Sequence, residues 1–141
     1  MGATIQQITW LKSLPEYKEM ARVLGEYDDN IDYVGAAGDW KSKFIPRSLW
    51  FIDINICAYI HDYWYSIGGT ITDRFKADAM FLADMLRWIE LTPDRWYIYG
   101  FNWGRRGMAR RRALKYFEAV RAAGQTAFHF IQEEESQEFA A

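Results

Sequence analysis

His61 and Asp62 stand side by side in Cys57-Ala-Tyr-Ile-His61-Asp62-Tyr-Trp-Tyr65, and a second aspartate follows in Ala77-Asp78-Ala-Met-Phe81. An imidazole exchanges protons near neutral pH, and a carboxylate can orient that imidazole or hold a cation. Neighbours on a helix point about 100° apart, so His61 and Asp62 cannot serve each other. His61 is therefore left to work on a water molecule and Asp62 on a metal ion. If the helix carrying Asp78 returns antiparallel to the one carrying His61, Asp78 lies opposite the imidazole and fixes its tautomer. Tyr65, one turn beyond His61, then donates its hydroxyl to the same carboxylate. Ala77 is small enough to let the two helices approach closely.

These side chains need a particular set of elements to hold them. Ser13 and Pro15 suit a helix start, Leu14, Tyr17, Met20, Ala21 and Leu24 fall at helical spacing, and Gly25 is a stop signal. From Glu26 to Phe44 the pattern dissolves into Asp, Asn and Gly, which reads as a loop long enough to bind something. Pro46, Ser48 and Leu49 open a second helix reaching about Ile67, with Asp53 in its first turn, where the helix dipole favours an acid. Gly68-Gly69 breaks it. Thr72 or Asp73 caps a third helix from about Arg74 to Leu91. Thr92-Pro93-Asp94 precedes an aromatic stretch, Trp96 to Trp103, and a basic helix runs from Gly104 to Ala123, ended by Gly124. The expected fold is mainly α: two long antiparallel helices carrying the site, shorter flanking helices and a Gly-containing loop. Residues 1–131 form one helical domain, and residues 132–141 an acidic, frayed tail.

Composition narrows the function classes. Half the residues are apolar and 26% are charged, as in a compact soluble domain with a sizeable core. The net charge of -2 argues against specific nucleic-acid binding. A single cysteine excludes an intrachain disulfide, and Cys57 reads as a small core residue. No signal peptide or membrane-spanning run is visible, so a cytoplasmic location in the producing cell is expected, with virion association as a further option. Charge is uneven: from Gly104 to Arg121, seven basic residues face Glu118 alone. Arg105, Arg106, Arg110, Arg111 and Arg112 in this helix form a solvated face, a phosphate-facing membrane surface or a partner-binding surface. Trp96, Tyr97, Tyr99, Phe101 and Trp103 have interfacial as well as core chemistry. His129 lacks a companion motif and reads as part of a terminal packing patch.

His-Asp-x-x-Tyr followed by Ala-Asp-x-x-Phe on the next helix resembles phospholipase A2 domains, most closely the disulfide-free forms such as that in the parvovirus minor capsid protein. In that family an upstream Tyr-x-Gly-x-Gly loop supplies calcium-binding carbonyls. Here Tyr33-Val-Gly35-Ala-Ala-Gly38 is similar, with one extra residue between the glycines. The stretch Asp39-Trp-Lys-Ser-Lys-Phe-Ile-Pro46-Arg47-Ser-Leu-Trp50 also resembles uncharacterised phage and prophage proteins, and the likeness spans roughly residues 35–105. The resemblance implies a phage or prophage ester hydrolase in which His61 is the base, Asp78 and Tyr65 support it, and Asp62, Gly35 and Gly38 hold Ca²⁺. Water would then attack a lipid ester at a phospholipid surface. A metal-dependent His-Asp phosphohydrolase would need further histidines, and His129 is the only other one. Two alternatives remain. His61 and Asp78 also read as a satisfied polar pair inside a helix hairpin, and the chain as a non-enzymatic phage accessory or capsid-associated protein binding a partner through its aromatic and basic surface.

Overall fold

A computed structural model describes residues 2–34, 48–49, 52–92, 102–124 and 128. Among these the chain forms α1 (Ile5–Ser13), α2 (Tyr17–Leu24), β1 (Ser48–Leu49), β2 (Ile52–Asp53), α3 (Asn55–Ile67), α4 (Ile71–Leu91) and α5 (Asn102–Ala123). The fold is mainly helical, as expected. Gly35, Gly38, the motif from Asp39 to Arg47, the aromatics from Trp96 to Phe101, His129 and the tail 132–141 lie outside the described residues. Among the described residues, no helix is long and apolar enough to cross a membrane.

Four expectations about element boundaries need correction. Ser13 does not start a helix but ends one, its hydroxyl donating to the Trp10 carbonyl. The helix before it, α1, starts at a reciprocal cap: Thr4 Oγ1 accepts from the Gln7 backbone N–H, and Gln7 Oε1 accepts from that of Thr4. The His61 helix does not begin near Pro46. Ser48–Leu49 and Ile52–Asp53 instead pair as a short antiparallel hairpin, leaving α3 only 13 residues long. Asp53 is consequently not in a helical first turn. It is buried in β2, and its Oδ1 accepts from the Asn55 backbone N–H at 2.8 Å, satisfying an open donor of α3 from outside the helix.

The α3 helix is buried nearly all round, with Ile56, Cys57, Ala58, Tyr59 and Ile60 each at most 4% exposed. Burying an isoleucine such as Ile56 or Ile60 contributes about 1.5–3 kcal/mol, so this helix is the centre of the core. Gly68 and Gly69 follow with φ of 72° and 133°, and a Cβ on Gly69 would lie 2.3 Å from Asp73 Oδ2. That aspartate is needed where it is. It completes a cap with Thr70, so Thr70 and not Thr72 or Asp73 is the capping residue, α4 starts at Ile71 rather than near Arg74, and Asp73 is its third helical residue.

The contacts run in opposite order along the two strands of this helical hairpin. Tyr65 meets Asp78, and His61 meets Phe81 one turn earlier on α3 and later on α4. The helices α3 and α4 are therefore antiparallel. The same logic applies to α4 and α5, where Arg74 meets Val120 and Arg121 while Glu90 pairs with Arg110. On α5, Ala109, Ala113, Tyr116 and Val120 make the buried stripe. The N-terminal helices brace the other side. Gln7 Nε2 donates to the Asp53 carbonyl, and the Trp10 ring meets Trp88 of α4 edge-on.

Asn55, fully buried, fixes the stretch from Tyr27 to Tyr33 that follows α2. Its Oδ1 accepts from the Tyr33 backbone N–H at 2.8 Å, and its Nδ2 donates to the Ile31 carbonyl at 2.7 Å and the Tyr27 hydroxyl at 3.1 Å. Tyr27 and Tyr33 stack and both meet Tyr59 edge-on. Replacing Asn55 with Ala strands buried partners on that segment. Urea unfolding of Asn55→Ala is expected to show a loss of about 2–4 kcal/mol, with the helical circular dichroism of the folded state retained.

Candidate functional site

Cys57, His61 and Tyr65 recur every four residues on α3 and face α4, where Ala77, Asp78, Phe81 and Met85 form the opposing buried stripe. The expected juxtaposition forms. His61 Nε2 lies 2.9 Å from Asp78 Oδ1, and the Tyr65 hydroxyl donates to the same oxygen at 2.5 Å. The Tyr65 and Phe81 rings lie 4.1 and 4.8 Å from the imidazole and restrict its rotation. His61 is 2% exposed and Asp78 is fully enclosed.

Burial pushes the Asp78 carboxyl up. The hydrogen bonds from His61 and Tyr65, with the positive charge of His61 and Arg74, outweigh it and hold the group below its ordinary value. An ionised carboxylate only accepts hydrogen bonds, so His61 Nε2 is the donor in this pair. Burial pushes the Tyr65 phenol up, and the neighbouring Asp78 reinforces the shift, so this hydroxyl stays a donor.

Four residues near this pair were not singled out by sequence reasoning. Arg74 precedes Asp78 by one helical turn and is buried; its Nη2 donates to the carbonyls of Val120 and Arg121 at 3.2 and 2.5 Å. It thereby satisfies acceptors in the last turn of α5, where cations are favoured. Arg121 Nε stands 3.3 Å from Asp78 Oδ2, and its guanidinium lies over the rings of Phe75 and Phe117. Gly124 packs on Tyr65 so closely that a Cβ there would lie 2.5 Å from the phenol oxygen. Phe128 meets the Tyr65 ring edge-on. The sequence signal for the arginines was their charge, which also fits a solvated basic face.

Asp62 lies one step round α3 from His61 and is half-buried. It shares its stripe with Asn55 and Tyr59, the two residues that dock Tyr33. Gly35 and Gly38 lie outside the described residues. The oxygen donor at Asp62 suits a hard cation such as Ca²⁺. Among the described residues, no group of three or more His, Cys, Asp or Glu side chains is arranged to hold a metal ion. Cys57 is fully buried on the neighbouring stripe; burial pushes its thiol well up, making it an inert core residue.

In the basic helix, Arg110 pairs with Glu90 and Arg106 Nη2 donates to the Thr92 carbonyl, both across to α4, while Arg111 is exposed. Part of that charge therefore holds α5 to α4.

The lowered Asp78 value has a consequence for stability. Its proton is bound more weakly in the folded than in the unfolded chain, so its contribution is complete above the unfolded value near 3.8. The contribution is lost as pH falls through the lower folded value. Urea unfolding at a series of pH values should show stability declining steeply below about pH 4, and Asp78→Asn should remove part of that slope.

No family model matches the chain, and no curated protein and no solved structure matches it. The chemistry of His61, Asp78 and Tyr65 therefore rests on their own geometry.

Proposed function

We propose that this chain is a phospholipase A2-like ester hydrolase of phage or prophage origin, with His61 as its general base. The observation that supports the reading most is the joint approach of His61 and Tyr65 to one oxygen of a buried, ionised Asp78. An imidazole held by Nε2 directs Nδ1 away from its carboxylate partner, the arrangement a base needs. In the proposed reaction Nδ1 takes a proton from water as the water oxygen attacks the ester carbonyl carbon. The tetrahedral adduct then expels the alkoxide, which takes the proton back from His61, leaving a fatty acid and a lysophospholipid. Asp78 does not give up its charge; it stabilises the imidazolium formed on the way.

Asp62, with carbonyls of Gly35 and Gly38, would hold Ca²⁺. Bound there, the cation supplies charge stabilisation for the oxyanion and the headgroup phosphate. The exposed Arg111 of α5 is the proposed contact with anionic headgroups.

A second reading is favoured by one specific observation: His61 is only 2% exposed. A pair so enclosed also serves as internal polar glue in a non-enzymatic helical protein, an accessory or capsid-associated module that binds a partner. Hydrolysis requires the imidazole to be reached by water and ester, whereas the structural role does not.

Hydrolysis of mixed phosphatidylcholine and phosphatidylglycerol vesicles separates the two. The hydrolase reading expects fatty-acid release that needs Ca²⁺ and stops with chelator. It expects His61→Gln to lower the rate by about 10²–10⁴-fold, the usual contribution of a general base. Asp62→Asn should abolish the response to Ca²⁺ without unfolding the chain. Absence of release from the folded wild-type chain, or release that survives His61→Gln, would leave the binding role.

A further inference from the structure

The basic helix α5 carries a single acid, Glu118, between Gly104 and Arg121. Arg106 and Arg110 are engaged with α4, at the Thr92 carbonyl and at Glu90. Arg111, Lys115 and Glu118 instead face solvent, on the side of the helix away from the buried Ala109, Ala113, Tyr116 and Val120. Among the described residues, neither Arg111 nor Glu118 has a hydrogen bond or ion pair within the chain. They stand seven residues apart, two turns of helix, so both side chains leave α5 along one line. Leu114 and Lys115 flank that line midway between them. Leu114 is 47% exposed, and Met108, about one turn before Arg111, is 44% exposed.

This spacing is self-complementary. Two copies of the face laid antiparallel, with a two-fold axis between Leu114 and Lys115, bring Arg111 of each copy opposite Glu118 of the other. The same axis sets each Leu114 against the aliphatic stem of the other copy's Lys115. It also sets Gly107 against Ala122, small residues that let the two helices approach. A Cβ added at Gly107 would meet nothing within 4 Å, so the surface is open there. A parallel pairing in register has no such match, because it places Arg111 on Arg111 and Glu118 on Glu118.

From this pattern we propose that the outer face of α5, from Gly107 to Ala122, is a self-association surface. Two copies of this chain pair through it antiparallel, held by two symmetry-related Arg111–Glu118 ion pairs about a Leu114–Lys115 centre. The occupant is a second copy because the face carries its own counter-charge where the two-fold axis requires one. An anionic lipid surface would leave Glu118 facing like charge. Arg111 held by another copy's Glu118 is withdrawn from a headgroup, so the dimer and a lipid-bound form compete for this side chain. Association is measured without lipid or turnover and is independent of the hydrolase reading.

The paired surface is one helix wide, at the small end of specific interfaces, so the dimer is weak. Sedimentation equilibrium of the full-length chain up to about 10⁻⁴ M reaches that range. The average mass should rise with concentration from that of one copy toward that of two. Glu118→Arg and Arg111→Glu each set like charges opposite one another at both symmetry-related positions, and each should weaken association by roughly tenfold. The double variant, Arg111→Glu with Glu118→Arg, restores opposite charges and should return association to near that of the unaltered chain. A merely structural effect of the single variants would not be rescued in this way. Should a single charge reversal fail to fold by circular dichroism, Leu114→Lys sets a cation against the other copy's Lys115 and should weaken association instead. A chain that stays monomeric throughout the range overturns the proposal. So does a dimer indifferent to these single variants, or one that the double reversal does not recover. Binding of phosphatidylglycerol vesicles by a monomeric chain, lost in Arg111→Glu, would assign the face to lipid and equally overturn it.

Discussion

A carboxylate fully enclosed by protein must be satisfied by its neighbours, and the central helices are arranged around that requirement at Asp78. It draws an imidazole and a phenol from α3 onto one oxygen and a guanidinium from α5 toward the other. Burial alone would favour the neutral acid, yet the hydrogen bonds and positive charges around it keep the anion. Breaking one partner of such a group costs more than the bond itself, because the remaining charge stays buried. The three helices are thus held in register by a polar cluster as well as by apolar packing. Arg74 extends the same cluster by tying the last turn of α5 to α4.

A second buried polar residue, Asn55, does comparable work at the other end of α3. It holds the backbone at Ile31 and Tyr33 against the helix while Asp53 satisfies its own N–H. That contact brings the chain to Val34 beside the stripe that continues to Asp62. The helix is consequently pinned at its start by amide chemistry and near its end by ionic chemistry, with an apolar middle between them. Such a helix has little freedom to rotate, so the directions of His61 and Asp62 relative to one another are fixed by the backbone.

Much of this cluster could be read from the sequence because its geometry is local. His61 and Tyr65 are one turn apart, the Gly68-Gly69 break makes the next helix return, and Asp78 then falls opposite by counting alone. The hairpin at Ser48–Asp53 was hidden because a short apolar run reads equally as strand or helix start. The start of α1 carried a Thr-x-x-Gln cap signal whose importance lies in Gln7 reaching Asp53, a contact across 46 residues. Arg121 posed the same difficulty. Nothing in a basic helical repeat distinguishes the arginine that turns inward from those that face water, since that choice is made by Asp78 on another helix.

The tautomer of His61 tests this account most directly. In ¹⁵N-resolved spectra of the folded chain near neutral pH, the His61 ring should carry its proton on Nε2, bonded to Asp78 and exchanging slowly with water. Asp78→Asn should speed that exchange. A ring protonated on Nδ1 instead, or one whose Nε2 proton exchanges as fast as a free imidazole, would contradict the account.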